Sequence, residues 1–229
     1  MSHSIPGRKE LLFELVTDPF SLFGSGEKRT REFTEIAEVV RQAFGSPMTD
    51  EDIYNHLVHP EIVYILRQQK KLIAMGSFTP MSVLDQSILY IEGVAIHPLV
   101  QAGELFQEFT SLALDGQKLV ALRTQNPRMY RAFQKICTHV CPSPECKKLC
   151  LLENSQQAGL LHVKRGLAGK LGMEIDDRGV ARRFYPMPLY TSEPYHPLIS
   201  PFFKEQLELD YLNGDSVLCV GSLNRDKFK

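Results

Sequence analysis

The sequence predicts an α/β domain: a mixed, mostly antiparallel sheet with helices on both faces. Three observations carry this. Helical periodicity opens the ordered part of the chain. Two apolar runs follow, separated by a short polar turn, and then a third strand. A helix then intervenes before a fourth strand, the crossover that a parallel pair needs. With 229 residues, 43% hydrophobic and 23% charged, the chain suits one large globular domain.

Residues 1–29 read as an N-terminal arm, with an apolar stretch stopped by Asp18-Pro19 and a flexible break at Gly24-Ser25-Gly26. From Thr30 the pattern sharpens. Phe33, Ile36, Ala37, Val40 and Phe44 recur at helical spacing, and Gly45-Ser46-Pro47 ends the run. Thr49 caps a second helix, with Asp52 three residues on and Ile53 and Leu57 on its inner face. Residues 62–66 and 72–78 are strands joined by a tight turn at Gln68-Gln69-Lys70, and 87–96 is a third, ending at His97-Pro98. Leu105, Phe109, Leu112 and Ala113 mark a helix, and residues 119–122 a short buried strand. Asn126-Pro127 then opens another helix, since Asn is a preferred cap and Pro a preferred first residue. Residues 30–140 form the core by this reading. Residues 141–229 are a C-terminal extension completing the same domain, weakly patterned over 141–183, rich in Pro and aromatics over 184–203, and ending in a strand at 217–220.

Composition narrows the function. Lys+Arg 26 against Asp+Glu 27 leaves no basic excess, which disfavours nucleic acid as a partner. No apolar run approaches the roughly 18 residues of a membrane span. The first ten residues do not lead into a signal-like apolar region. Five cysteines, an odd number in a chain too long to need staples, point to the reducing cytoplasm.

The most informative stretch is Tyr90-Ile91-Glu92-Gly93-Val94-Ala95-Ile96-His97-Pro98-Leu99-Val100-Gln101-Ala102-Gly103-Glu104-Leu105. It is a strand, a Pro turn and a helix whose first amides lack intrahelical partners and so suit an anion. With Leu122-Arg123-Thr124-Gln125-Asn126-Pro127 and the element order over 30–138, it resembles the GCN5-related N-acetyltransferase superfamily. The resemblance implies acetyl-CoA as the cofactor, in a cleft where two central strands splay apart. Backbone groups of Val94 and Ile96 would bond the pantetheine arm, and one amide there would polarise the thioester. The loop through Gln101, Ala102, Gly103 and Leu105 would cradle the pyrophosphate, and Asn126 would bond the pantetheine or thiol end. The acceptor would be an amine, on a small molecule or a peptide.

Three positions depart from the family pattern. Glu104 and Phe106 stand where the loop's glycines are expected, and Phe133 stands where the family places a Tyr as general acid. Tyr130, one turn earlier, is the alternative acid. Glu92 is the candidate general base, against the reading of an outward-facing strand carboxylate. His97 is a second candidate base, against a surface His in a turn. Cys137, Cys141, Cys146 and Cys150 with His139 invite a zinc reading, but their pairs are too closely spaced, so no metal is expected. Lys164-Arg165, Arg178 and Arg182-Arg183 read as a solvated hairpin face. The expected activity is acetyl transfer from acetyl-CoA to an amine. The alternatives are a catalytically weak or inactive module on the same fold that binds CoA or a protein, and a zinc- or thiol-dependent interaction protein.

Overall fold

The computed structural model describes residues 2–4, 11–25, 28–101, 104–145 and 156–228. Strands β1 (Ser2–Ser4) and β2 (Leu11–Leu15) pair antiparallel, and helix α1 (Pro19–Phe23) follows. A small ladder joins β3 (Gly24–Ser25) to β4 (Lys28–Arg29). Then come α2 (Arg31–Phe44), α3 (Asp50–Val58), β5 (Ile62–Gln68), β6 (Lys71–Val83), β7 (Gln86–Ile96), α4 (Leu105–Ala113), β8 (Leu119–Thr124) and α5 (Pro127–Ile136). The chain closes with β9 (Cys137–Cys141), α6 (Gln156–Lys170), β10 (Val180–Ala181) and β11 (Ser216–Leu223). The fold is the expected one: a mixed, mostly antiparallel sheet with helices.

The chain divides into two compact units, Met1–Thr79 with Ile91–Ala113, and Pro80–Tyr90 with Leu114–Lys229. Strands β6 and β7 run through both. The units therefore do not follow the boundaries at 29/30 and 140/141 that the sequence suggests. Residues 141–229 share a unit with β8 and α5.

In the first unit the strand order is β1, β2, β5, β6, β7. The apolar stretch expected in an arm is the strand β2, with Phe13 opposite Leu66 of β5. Asp18 and Pro19 open α1 rather than merely stopping a run: Asp18 Oδ1 accepts from the Ser21 amide at 2.9 Å. Thr30 caps α2 through its hydroxyl oxygen, which accepts from the Phe33 amide at 3.2 Å, and Thr49 does the same for Asp52 at 3.1 Å. Alternation along β5 sends Val63 and Ile65 to a core with Phe33, Ile36, Ile53 and Leu57 of α2 and α3. The other face meets α4, where the Tyr64 hydroxyl donates to Leu112 O at 3.1 Å. Gly76 permits that approach, because a Cβ there would lie 2.9 Å from the Phe109 ring.

In the second unit the order is β6, β7, β8, β11, β10, and β9 also pairs with β11. Helix α6 packs Leu160, Val163 and Leu167 against Ile88, Tyr90, Ala121, Leu218 and Val220. This helix falls in a stretch whose sequence signals are weak. Gly159, Gly166 and Gly169 dilute its apolar stripe, and a lysine lies on its buried side. At Gly166 the helix passes close to the β6–β7 turn, where a Cβ would meet the Leu84 side chain at 2.9 Å. The aromatic segment adds to the core at its C-terminal end: Ile199, Phe202 and Phe203 are buried, and both rings pack on Tyr130.

Candidate coenzyme and acyl-transfer residues

In the first unit, the end of β7 and the turn after it carry most of the expected site. Ala95 belongs to the core beneath α2 and α3. Glu92, Val94 and Ile96 therefore point to the opposite face by alternation. Val94 is buried, while Glu92 and Ile96 are half-buried. Glu92 is neither buried nor freely solvated: Thr79 on β6 donates its hydroxyl to Glu92 Oε1 at 2.9 Å. This bond fixes the carboxylate's direction.

The turn is closed by its own groups. His97 donates its amide to Ile73 O at 2.9 Å, and its Nδ1 accepts from the Leu99 amide at 3.2 Å. Its ring is thereby a turn cap, the plainer of its two expected roles. Pro98–Val100 make a single 3-10 turn. Gln101 Nε2 then donates to Ile96 O at 2.9 Å. That bond clamps the loop to the strand end and occupies one lone pair of the Ile96 carbonyl expected to meet pantetheine. Ala102 and Gly103 lie outside the described residues.

Glu104 is exposed, immediately ahead of α4, and its carbonyl accepts from the Glu108 amide at 2.9 Å. The side chains of Leu105 and Phe106 are buried. Phe106 thus serves the core at a position where the family loop carries glycine. What α4 offers a ligand is its first amides, not its side chains.

In the second unit, Asn126 caps α5: Oδ1 accepts from the Arg128 amide at 2.9 Å, and its own amide donates to Thr124 Oγ1 at 2.9 Å. The Asn126 side chain also hydrogen-bonds the phenol of Tyr190, a residue of the Pro- and aromatic-rich stretch that the sequence did not single out. Next to it, buried Gln125 donates to Asp215 O at 2.8 Å and accepts from the Leu189 amide at 3.0 Å.

Tyr130 stands where the acid role does not reach it. It is fully buried, its hydroxyl donates to Pro142 O at 2.6 Å, and burial pushes its phenol far up. Such a hydroxyl holds a loop on the core and is shielded from a reacting atom. Phe133, fully buried one turn on, carries no hydroxyl.

The basic group is a solvated face only in part: Arg165, Arg182 and Arg183 are exposed, and Lys164 is not. Lys164 is fully buried, and its Nζ has no hydrogen-bond partner among the described residues. It rests on Gly179, at φ +82°, where a Cβ would lie 2.0 Å from Nζ. Arg182 ties Asp176 to Asp215, the latter at 2.7 Å, and Arg178 reaches Glu208 at 2.7 Å. Cys137, Cys141 and Cys219 are free thiols, and burial pushes Cys137 and Cys219 up. Cys146 and Cys150 lie outside the described residues. One cleft went unread in the sequence. It lies in the first unit, measures about 370 Å³, and is lined by Glu14, Asp18 and Glu32 among others, a setting that disfavours a phosphorylated ligand.

No family model matches the sequence. The solved structures it resembles include acetyltransferases. The ribosomal-protein-S18-alanine N-acetyltransferase of Escherichia coli is 12% identical, with 92% of this chain and 94% of that one covered and a TM-score of 0.41. A GNAT family acetyltransferase of Elizabethkingia anophelis, with acetyl-CoA bound, is 13% identical, with 93% and 99% covered and a TM-score of 0.41. At these identities the likeness is one of fold. Among curated proteins, the ATP-dependent DNA helicase RecQ of Synechocystis sp. is 24% identical over 160 residues, 69% of this chain. The chain spans about a quarter of that relative's length, 27%. No helix among the described residues is long and apolar enough to cross a membrane.

Proposed function

We propose that the protein binds acetyl-CoA and transfers its acetyl group to an amine. The observation that carries this reading is the end of β7. A strand face bearing Glu92, Val94 and Ile96 runs into a turn clamped by Gln101, and then into a helix whose first amides have no intrahelical partner. The residues fit an anionic coenzyme through backbone rather than charge. The stretch Ile91–Ala113 holds no Lys or Arg, and its acidic residues are Glu92, Glu104 and Glu108. Val94 and Ile96 would bond the pantetheine arm, and the amides from Gln101 to Leu105 would take the pyrophosphate.

The coenzyme supplies an acetyl group already activated as a thioester. The chain's part is to orient it and to take a proton from the attacking nitrogen. Glu92, aimed by the Thr79 hydroxyl, is the base in this reading. Proximity of two held substrates would supply much of the rate.

A second reading, binding without turnover, draws support from one observation: Tyr130 and Phe133 both serve the core, so α5 presents no phenol for the leaving thiol.

Isothermal calorimetry with acetyl-CoA tests the proposal. Saturable one-to-one binding, weakened by Gln101→Ala, is expected. No heat of binding at millimolar coenzyme would refute it. Binding without acetylation of any amine in a broad panel would select the second reading.

A further inference from the structure

Helix α5 keeps its basic residues on one side. Arg128, Arg131 and Lys135 follow the three- and four-residue spacing of a single helical face, and α5 holds no acidic residue. The opposite side buries Tyr130, Phe133 and Ile136. Arg128 and Lys135 are exposed, and Arg131 is half-buried. Arg131 Nη1 donates to the neutral Gln134 Oε1 at 3.2 Å, and Arg128 Nε donates to the Tyr195 carbonyl at 2.9 Å. The ion pairs formed among the described residues all lie elsewhere.

This placement runs against the helix's own electrostatics. The first turn of a helix carries partial positive charge, and a cation there costs stability. Arg128 stands in that turn and Arg131 just beyond it. Basic side chains that oppose this rule without a carboxylate to offset them point to an anion from outside the chain. The surface also continues past both ends of α5. The Asn224 amide donates to Ile136 O at 2.9 Å, which sets the exposed Arg225 at the C-terminal end, with Asp226 next to it. At the other end, the bond to Tyr195 O holds the Arg128 guanidinium beside a tyrosine that is 62% exposed. Glu193, the acid nearest Tyr195 in the sequence, lies close enough to Tyr211 to push that phenol up. All of these residues belong to the second unit.

We propose that this face binds a single strand of nucleic acid, with its phosphates on Arg128, Arg131 and Lys135 and a base stacked on Tyr195. The helical rise spreads the three charges over about 10 Å. That matches about three nucleotides of a stacked strand at ~3.4 Å each. A basic track beside an exposed aromatic ring suits a single strand, because phosphates meet the charges and every base has a face to stack. An acidic peptide would use the charges and leave Tyr195 idle. The balance of 26 basic against 27 acidic residues, which disfavours nucleic acid for the chain as a whole, is an average from which α5 departs. None of these residues takes part in the coenzyme reading above, so either can fail alone.

Fluorescence anisotropy on the full chain, with a labelled thymidine oligonucleotide of about 15 nucleotides, tests this. Saturable binding is expected at low salt, with a log–log salt slope of about −2, from ~0.7 per phosphate contact. Arg131→Gln combined with Lys135→Gln should weaken binding and bring the slope to about −0.7. Tyr195→Ala should weaken binding about tenfold and leave the slope unchanged. Wild-type thermal melts are expected for both variants, since neither touches the core. Two measurements need no variant: polyglutamate of equal charge and acetyl-CoA should each compete about tenfold more weakly than unlabelled oligonucleotide. Absence of binding overturns the assignment. So does a slope that the paired substitution leaves unchanged, or an affinity that Tyr195→Ala leaves unchanged. Competition by polyglutamate equal to that of the oligonucleotide would give the face to an acidic protein segment, and equal competition by acetyl-CoA would give it to the coenzyme's phosphates. Either result overturns the assignment too.

Discussion

Glu104 shows how one side chain serves a helix and opposes a ligand at once. Exposed and immediately ahead of α4, its charge favours the helix N-terminus. The same charge repels a pyrophosphate seated on the first amides. Glu104→Gln is expected to tighten acetyl-CoA binding about two- to fivefold by calorimetry, less so in high salt. An unchanged affinity would place the phosphates elsewhere. Tyr130 is the opposite case, a polar group wholly spent on structure. Tyr130→Phe removes its bond to Pro142 O and leaves that carbonyl unpaired, so denaturant melts should read a loss of about 1–3 kcal/mol. Coenzyme affinity should not move. The sequence placed Tyr130 on α5, one turn before Phe133. Whether its hydroxyl points into a core or a cleft depends on Phe202, Phe203 and Pro142, residues remote in the chain.

At the scale of elements, local chemistry explains the helices that were legible. Thr30, Thr49 and Asn126 each sit where a cap is needed, and each side chain takes an amide of the first turn. Helix α6 was not legible, because its amphipathic contrast is small and its buried side includes Lys164. The turn that leads into β10 is held by charge. Burial alone would raise the Asp176 carboxyl, but the Val180 and Arg178 amides and the Arg182 guanidinium outweigh it and hold it below the ordinary carboxylate value. A lowered folded value means a contribution present in full above the unfolded value, near pH ~4, and lost as pH falls through the folded value. Thermal melts should therefore show stability falling below about pH 4, with a shallower fall in Asp176→Asn. Parallel pH profiles for the two proteins would assign the acid sensitivity to other groups.

For the whole molecule, the threading of the chain predicts its cooperativity. Each unit has a core of its own, but β6 and β7 supply both: Leu72, Met75 and Ala95 to one, Val83, Ile88 and Tyr90 to the other. Losing either core strips one face or one end of both strands. Scanning calorimetry should show a single transition whose calorimetric and van't Hoff enthalpies agree. Two resolved peaks would mean that the strands melt piecewise.

The sequence by itself determined the element order from Thr30 to Ile136, the capping residues, and the shared face of Glu92, Val94 and Ile96. These follow from periodicity, alternation and hydrogen bonds spanning a few residues, all local to the chain. Tertiary structure decided which polar groups remain available for chemistry. The hydroxyl of Tyr130, the amide of Gln101 and the ammonium of Lys164 look equally eligible in the sequence. One is bonded to a carbonyl twelve residues away, one clamps its own loop, and one is sealed beneath a glycine. Tyr190 gains its place beside Asn126 because the segment carrying it folds back onto β8 and α5. No periodicity encodes that contact, since it joins residues 64 apart in the chain through side-chain bonds such as that from Leu189 to Gln125.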